Sequence, residues 1–376
     1  MGRDDGKTVK KKVLFLLEAF DKGGIEKVTL DIINNLDPEK YDITVQTFWY
    51  GGHCQSQVRE HVRVIPFFFR RYVRGIIRLI QYLPPKMLYT LFVRGKYDVE
   101  IAASDGGAAK VISGSTNRKA KKICWVHMDV VARGSQLKEF RNADTARHIY
   151  EKFDQIVPVS QVCAEKFQKK FGNEYPVTVV KNPLPVSEIL CKAASGSVLP
   201  DGNSIKIVCV GRLVEQKGFD RLVEVCRRLK ENGFTDVKVY IIGEGPERNN
   251  LESSIKKYQL DSIIRLLGFQ ENPYAYIKSA DMFLLTSRDE AYPLVVGESM
   301  IIGTPVVATD CTGVSEWLDN GKYGMILENS TEGIFKGLNE IVKHPEIINQ
   351  YRQRITEKQK MISFENGLSE FESVLG

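Results

Sequence analysis

The sequence predicts an α/β protein of two doubly wound domains, each built on a parallel sheet. Three observations carry that expectation. Short apolar runs of β type alternate with helix-periodic segments in both halves of the 376 residues, the pattern of repeated β–α units. Most of these runs end in glycine or a small polar residue, as tight β–α turns require. Pro183–Ser204, rich in Pro, Ser, Gly and Ala, separates the two alternations and reads as an interdomain linker. The domains are therefore placed at 1–182 and 183–362.

Composition narrows the function classes. The length favours two or three domains, and 43% hydrophobic with 27% charged residues is ordinary for a soluble globular protein. A net charge of +6 is too mild to argue for nucleic acid, and no nucleic-acid motif accompanies it. The seven cysteines (54, 124, 163, 191, 209, 226 and 311) are odd in number and form no C-x-x-C. Reduced thiols fit that better than a disulfide framework or a zinc site. Lys7–Lys12 ahead of Val13–Leu17 imitates a secretory leader, but the apolar run is short, is broken by Glu18 and lacks a small-residue cleavage site. No uninterrupted run of about 18 apolar residues occurs, so no transmembrane helix is expected, and a cytoplasmic location is.

In the first half, Val13–Leu17 is a strand ending in the glycine loop Asp21–Gly24. Ile25, Val28, Ile32 and Leu36 then mark a helix. Strand, Gly23-Gly24, helix is a turn at which backbone N–H groups can approach a phosphate. Asp42–Phe48 is a second strand. From His61 to Tyr97 there is no Asp or Glu, while Arg63, Arg70, Arg71, Arg74, Arg78, Lys86, Arg94 and Lys96 are interleaved with aromatic and aliphatic residues. That mixture at helical spacing suits surface helices lying on anionic lipid, over about 63–97. Val99–Ala103 is a strand ending at Ser104-Asp105-Gly106-Gly107. Lys122–Val126 is another, ending at His127, where open α/β sheets place ligands. Gln155–Ser160 follows, with Ser160 as the N-cap of the next helix.

The second half runs strand Ile205–Val210, Gly211-Arg212, helix Phe219–Lys230, strand Val237–Ile242, Gly243-Glu244-Gly245, helix Glu247–Tyr258, strand Ile263–Leu267, Gly268-Phe269, helix Asn272–Ser279 and strand Met282–Thr286. Gly243-Glu244-Gly245 starts like a dinucleotide fingerprint, but Arg248 occupies the third glycine position, so no NAD site is expected. Thr286–Asp310 then gives a loop, a helix opened by Pro293 and an apolar strand. Glu290 stands in the loop and Glu298 one turn into the helix, on the face of Leu294. Two acids bracketing a helix N-terminus that attracts phosphate match the layout of a nucleotide sugar, with hydroxyls at both ends of a diphosphate.

The pair Glu290 and Glu298 in E-x7-E spacing, followed by Gly303–Val307, resembles the retaining glycosyltransferases of family four, which have the GT-B fold. These are sugar transferases acting on capsule, lipopolysaccharide and glycolipid acceptors. The resemblance spans nearly the whole chain and is strongest in the second half. It implies two Rossmann-like domains with a cleft between them, and a terminal helix, from about Ser363, crossing back onto the first domain. It implies roles as well: Arg212 and Lys217 as the diphosphate clamp, Glu290 on the sugar hydroxyls and Glu298 on the ribose. Leu294 and Val295 would offer backbone to phosphate, Gly211 and Gly243 would lie near the donor, and Gly268 and Phe269 would border the base. Gly23 and Gly24 would lie beside donor phosphates and acceptor, and His127 by the donor sugar. Asp129 lies two positions after His127, whereas many members of the family put an aspartate directly after the histidine, so the resemblance assigns it no role. Ala291 replaces the usual glycine.

The chemistry agrees with those roles. Breaking a sugar–phosphate bond builds negative charge on the departing diphosphate, which fixed cations stabilise. Arg212 can grip two oxygens, and Lys217 adds a point charge. The sequence contains no D-x-D to hold a divalent cation, so neither metal nor cofactor is expected. The expected reaction is hexosyl transfer with retention from a nucleotide sugar, a UDP-sugar by family frequency, to a saccharide acceptor. That acceptor would be lipid-linked, at the inner face of the plasma membrane. A nucleotide-sugar epimerase and a non-catalytic nucleotide-sugar-binding protein are the alternatives.

Overall fold

The computed structural model describes residues 9–20, 23–49, 52, 54–69 (67–69 as backbone only), 81–131, 140, 142–196 and 198–376. The described residues up to Pro183, together with Glu365–Gly376, form one compact unit, and Leu184–Phe364 form the other.

The first unit carries six parallel strands: β1 (Lys11–Leu17), β2 (Tyr41–Trp49), β3 (Arg63–Phe69), β4 (Val99–Ala102), β5 (Lys121–Val126) and β6 (Gln155–Pro158). Their order in the sheet is β3-β2-β1-β4-β5-β6. The second unit repeats that order with β7 (Ile205–Val210), β8 (Val237–Ile242), β9 (Ile264–Gly268), β10 (Met282–Leu285), β11 (Val306–Thr309) and β12 (Met325–Leu327), arranged β12-β11-β10-β7-β8-β9. Strands covered on both faces read as continuous apolar runs, and Val13–Leu17 in β1 are all buried. In each sheet the order reverses at one place, between β1 and β4 and between β7 and β10, and the crevice beyond the C-terminal strand ends there is where such sheets bind ligands.

Two expectations need correction. Pro183–Ser204 is not a bare linker: Val186–Ala193 is a helix packed on the helices Pro273–Ser279 and Leu294–Ile302. Its apolar residues explain this, since Leu184, Ile189 and Ala193 are buried and would be left in water on a linker. The basic stretch is not helical throughout either. Arg63–Phe69 is the edge strand β3, whose Pro66 pairs opposite Thr47, and an edge position tolerates the missing donor. Residues 70–80, with four of the arginines, and Asp21 and Lys22 of the glycine loop lie outside the described residues. Pro85–Phe92 is a helix.

The helix Phe364–Leu375 closes the first core. Phe371 is fully buried, stacked on Phe15 at 6.1 Å and tilted against Trp125 at 4.9 Å. Its last carbonyls are met by cations from the strand starts: Lys121 Nζ donates to the Val374 carbonyl at 2.7 Å and Lys11 Nζ to that of Leu375 at 3.4 Å. Cations at a helix C-terminus also oppose the negative end of its dipole.

Candidate functional site

The chemistry-bearing residues of the second unit converge on the C-terminal edge of its sheet. The turns after β7, β8 and β9 are stitched to one another. Gly211 N donates to the Ile242 carbonyl at 3.0 Å, Leu213 N to that of Glu244 at 3.0 Å, and Gly243 N to that of Gly268 at 2.8 Å. Gly243 has φ +143°, and a Cβ there would stand 1.9 Å from the Gly211 carbonyl oxygen. Only glycine lets these turns approach so closely. Gly211, Gly243 and Gly268 thus form one row of backbone, and Phe269 beside it leaves 42% of its surface exposed.

Across the switch point, the turn after β7 meets the loop after β10. Lys217 Nζ lies 2.5 Å from Glu290 Oε1, and Ser287 Oγ donates to the same oxygen at 2.7 Å. The Lys217 and Glu290 side chains keep 22% and 11% of their surface, so the pair is sheltered yet open to a ligand. Arg212 is exposed, and among the described residues no carboxylate lies within ion-pair distance of it. Helix Leu294–Ile302 begins just beyond, with Pro293 as its N-cap rather than its first residue. Leu294 and Val295 therefore supply its first backbone N–H groups, which have no partner within a helix. Glu298, 7% exposed, is held by the Tyr274 hydroxyl, which donates to Oε1 at 3.1 Å. Gly297 brings the helix onto Trp317, where a Cβ would meet the ring at 2.4 Å, and Trp317 stacks on Tyr292 at 4.8 Å.

Gly23, Gly24 and His127 belong to the first unit, at the turns after β1 and β5. His127 is 9% exposed, its ring 4.3 Å from that of Trp125. Burial pushes its pKa down from 6.5 to about 3, so the imidazole is neutral at pH 7. Its Nε2 is buried without a hydrogen-bond partner among the described residues. Asp129 belongs to the scaffold: it pairs with Lys166 and accepts from Val131 N at 2.9 Å. Ser287 and Tyr274 went unread in the sequence, because a single hydroxyl carries no spacing signal until the fold sets it against a carboxylate.

Two family models match the chain, Glycosyltransferase Family 4 over residues 22–188 and Glycosyl transferases group 1 over residues 192–361. The chain belongs to the family-four glycosyltransferases. Over 353 residues it is 29% identical to the amylovoran biosynthesis glycosyltransferase AmsD of Erwinia amylovora, covering 91% of this chain and 93% of that one. It is 25% identical to an uncharacterized glycosyltransferase of Haemophilus influenzae over 369 residues, covering 96% and 97%. Among solved structures, HepE of Anabaena in complex with UDP and glucose aligns with TM-score 0.77 at 18% identity, covering 97% of this glycosyltransferase and 99% of HepE. That likeness shows the GT-B fold.

Proposed function

We propose that this glycosyltransferase moves a hexosyl group from a UDP-sugar to a hydroxyl of a lipid-linked saccharide, with retention at the anomeric carbon, in the making of a cell-surface polysaccharide. The observation that carries the proposal is the cluster of Lys217, Glu290 and Ser287 at the switch point of the second sheet, one loop from the helix start at Leu294 and from Glu298. Cations, an acid and free backbone N–H groups there suit a diphosphate with hydroxyls on either side. The UDP held by HepE and the amylovoran role of AmsD support the donor class and the pathway class.

In this reading Arg212 and Lys217 take the diphosphate, Glu298 the ribose and Glu290 the sugar hydroxyls. Phe269 borders the base. The bond from the anomeric carbon to the diphosphate oxygen breaks and its electron pair leaves with UDP. The acceptor oxygen attacks from the same face, and its proton passes to the leaving phosphate. The charge that builds on the diphosphate falls on Arg212 and Lys217, so magnesium is not required. His127, neutral at pH 7, offers a hydrogen bond rather than a charge.

The membrane half of the proposal rests on the helix Pro85–Phe92. Met87 and Leu91, one turn apart, are 55% and 44% exposed, and Tyr82 is 63% exposed. Lys86, Arg94 and Lys96 are exposed beside them. Among the described residues no helix is long and apolar enough to cross a membrane, so contact would be at the surface. Pelleting with anionic but not zwitterionic vesicles, lost in Met87→Ser with Leu91→Ser, is the expected result.

The deciding experiment is thermal unfolding with UDP-, GDP-, CDP- and dTDP-sugars, with and without magnesium. A ligand at a hundred times its Kd adds about 2.7 kcal/mol of stability. UDP-sugars stabilising alone, indifferent to magnesium and ineffective on Glu298→Ala, is the expected result; no shift from any of them refutes the site. The product anomer by NMR tests retention, and an inverted linkage refutes it.

A further inference from the structure

Lys217 and Glu290 sit on two segments that many other bonds hold together, none of which uses a donor-binding side chain. Thr286 Oγ1 donates to the Lys217 carbonyl at 2.9 Å, and Gln216 Nε2 to that of Asp289 at 2.9 Å. Arg288 N donates to the Gln216 carbonyl at 2.7 Å, and Arg288 Nη1 to that of Glu215 at 2.6 Å. The Arg288 guanidinium also grips the Asp220 carboxylate with both arms, at 2.7 and 2.6 Å. Beneath them Arg221, 8% exposed, donates from Nη2 to the Thr286 carbonyl at 2.5 Å and from Nη1 to Asn329 Oδ1 at 2.9 Å. Asn329 Nδ2 in turn donates to the Arg288 carbonyl at 2.9 Å. Gly218, at φ +66°, permits the close approach, since a Cβ there would lie 2.1 Å from the Thr286 carbonyl oxygen.

We propose that the Asp220–Arg288 pair, backed by Arg221, is a positioning device that keeps Lys217 and Glu290 at their working separation when their own ion pair opens to admit the donor. The inference rests on the reading of Lys217 and Glu290 as donor-binding groups. The Lys217 ammonium cannot stay at 2.5 Å from Glu290 and also bring its charge fully onto a diphosphate. When it turns, the segments lose the one side-chain ion pair that the donor competes for, and the bidentate pair remains. A bidentate guanidinium–carboxylate contact fixes direction as well as distance, which a single ammonium does not. Stability is a poor reason for it: the Asp220 and Arg288 side chains are 57% and 34% exposed, and exposed pairs add little to folding.

The test compares the wild type with Arg288→Gln, Asp220→Asn, the double variant and Arg288→Lys. UDP and GDP affinity is measured by calorimetry, and Tm is measured on the same samples. Each single loss is expected to weaken nucleotide binding about tenfold, equivalent to about 1.4 kcal/mol, with Tm nearly unchanged. The double variant should be no weaker than either single, because either change opens the pair. Arg288→Lys should recover part of the loss. Affinity within twofold of wild type in the singles overturns the inference, as does a loss that tracks a falling Tm or adds up in the double variant. Lys217→Ala separates this from the underlying reading. If it binds nucleotide as the wild type does, the donor site itself is misread and both fall; if it loses binding while Arg288→Gln does not, only the positioning role falls.

Discussion

The two sheets have the same strand order and the same reversal point, yet their C-terminal edges carry opposite kinds of chemistry. Beyond β7 and β10 the second unit presents Lys217, Glu290 and the exposed Arg212, charges in or near solvent. Beyond β5 the first unit presents His127, whose ring burial keeps neutral, and Asp129, whose charge is answered by Lys166. One topology thus carries charges in or near solvent beyond β7 and β10, and a buried neutral ring with a paired carboxylate beyond β5. The architecture fixes where a ligand goes, and the residues at the strand ends fix what it is.

Four substitutions sharpen or break this contrast. The largest effect belongs to the first unit's scaffold: Phe371→Ala empties a fully buried site against Phe15 and Trp125 and should cost about 3–5 kcal/mol in denaturant unfolding. Next, Lys217→Ala should raise the transfer barrier by about 3 kcal/mol, a rate loss of 10²–10³, with Tm little changed; retained turnover would erase the distinction between the two edges. Tyr274→Phe removes the hydroxyl that holds Glu298, and should weaken nucleotide binding by about 1 kcal/mol in calorimetry. The smallest effect at pH 7 belongs to His127→Asn. A folded pKa of about 3 against 6.5 means that the unfolded chain takes up the proton first. Stability therefore falls as pH drops from 6.5 toward 3, with a slope of at most about 1.4 kcal/mol per pH unit from this group. The variant should lose that contribution in urea titrations between pH 4 and 6.5 and match the wild type's slope above pH 7.

Much of this was legible in sequence. The β–α alternation gave the two parallel sheets; Gly211, Gly243 and Gly268 fall at strand ends, Lys217 and Glu290 in the segments that follow β7 and β10, and Glu298 inside the helix Leu294–Ile302. What escaped has physical causes. β12 is three residues long, Met325–Leu327, too short for a periodicity to show. β3 was hidden by Pro66 and its arginine neighbours, which an edge strand accepts and a buried one would not. The Val186–Ala193 helix was masked by flanking prolines and serines. Tyr274 and Glu298 lie 24 positions apart, and Asp220 and Arg288 lie 68 apart. Such pairs exist only once the strands between them have taken their places.

The seating of Phe371 bears on how the protein is made. Lys11 and Leu375 meet across 364 positions of sequence, so the first unit's core waits for a helix synthesised after the entire second unit. Translation at roughly 5–20 residues per second leaves β1 to β6 without Phe371 for on the order of 10 s or more. Leu184–Phe364, contiguous in sequence, has all its strands in hand before then. The unit synthesised first is thus the last to be completed, and a chain stopped short of Phe364 exposes the pocket between Phe15 and Trp125 to whatever apolar segment passes by.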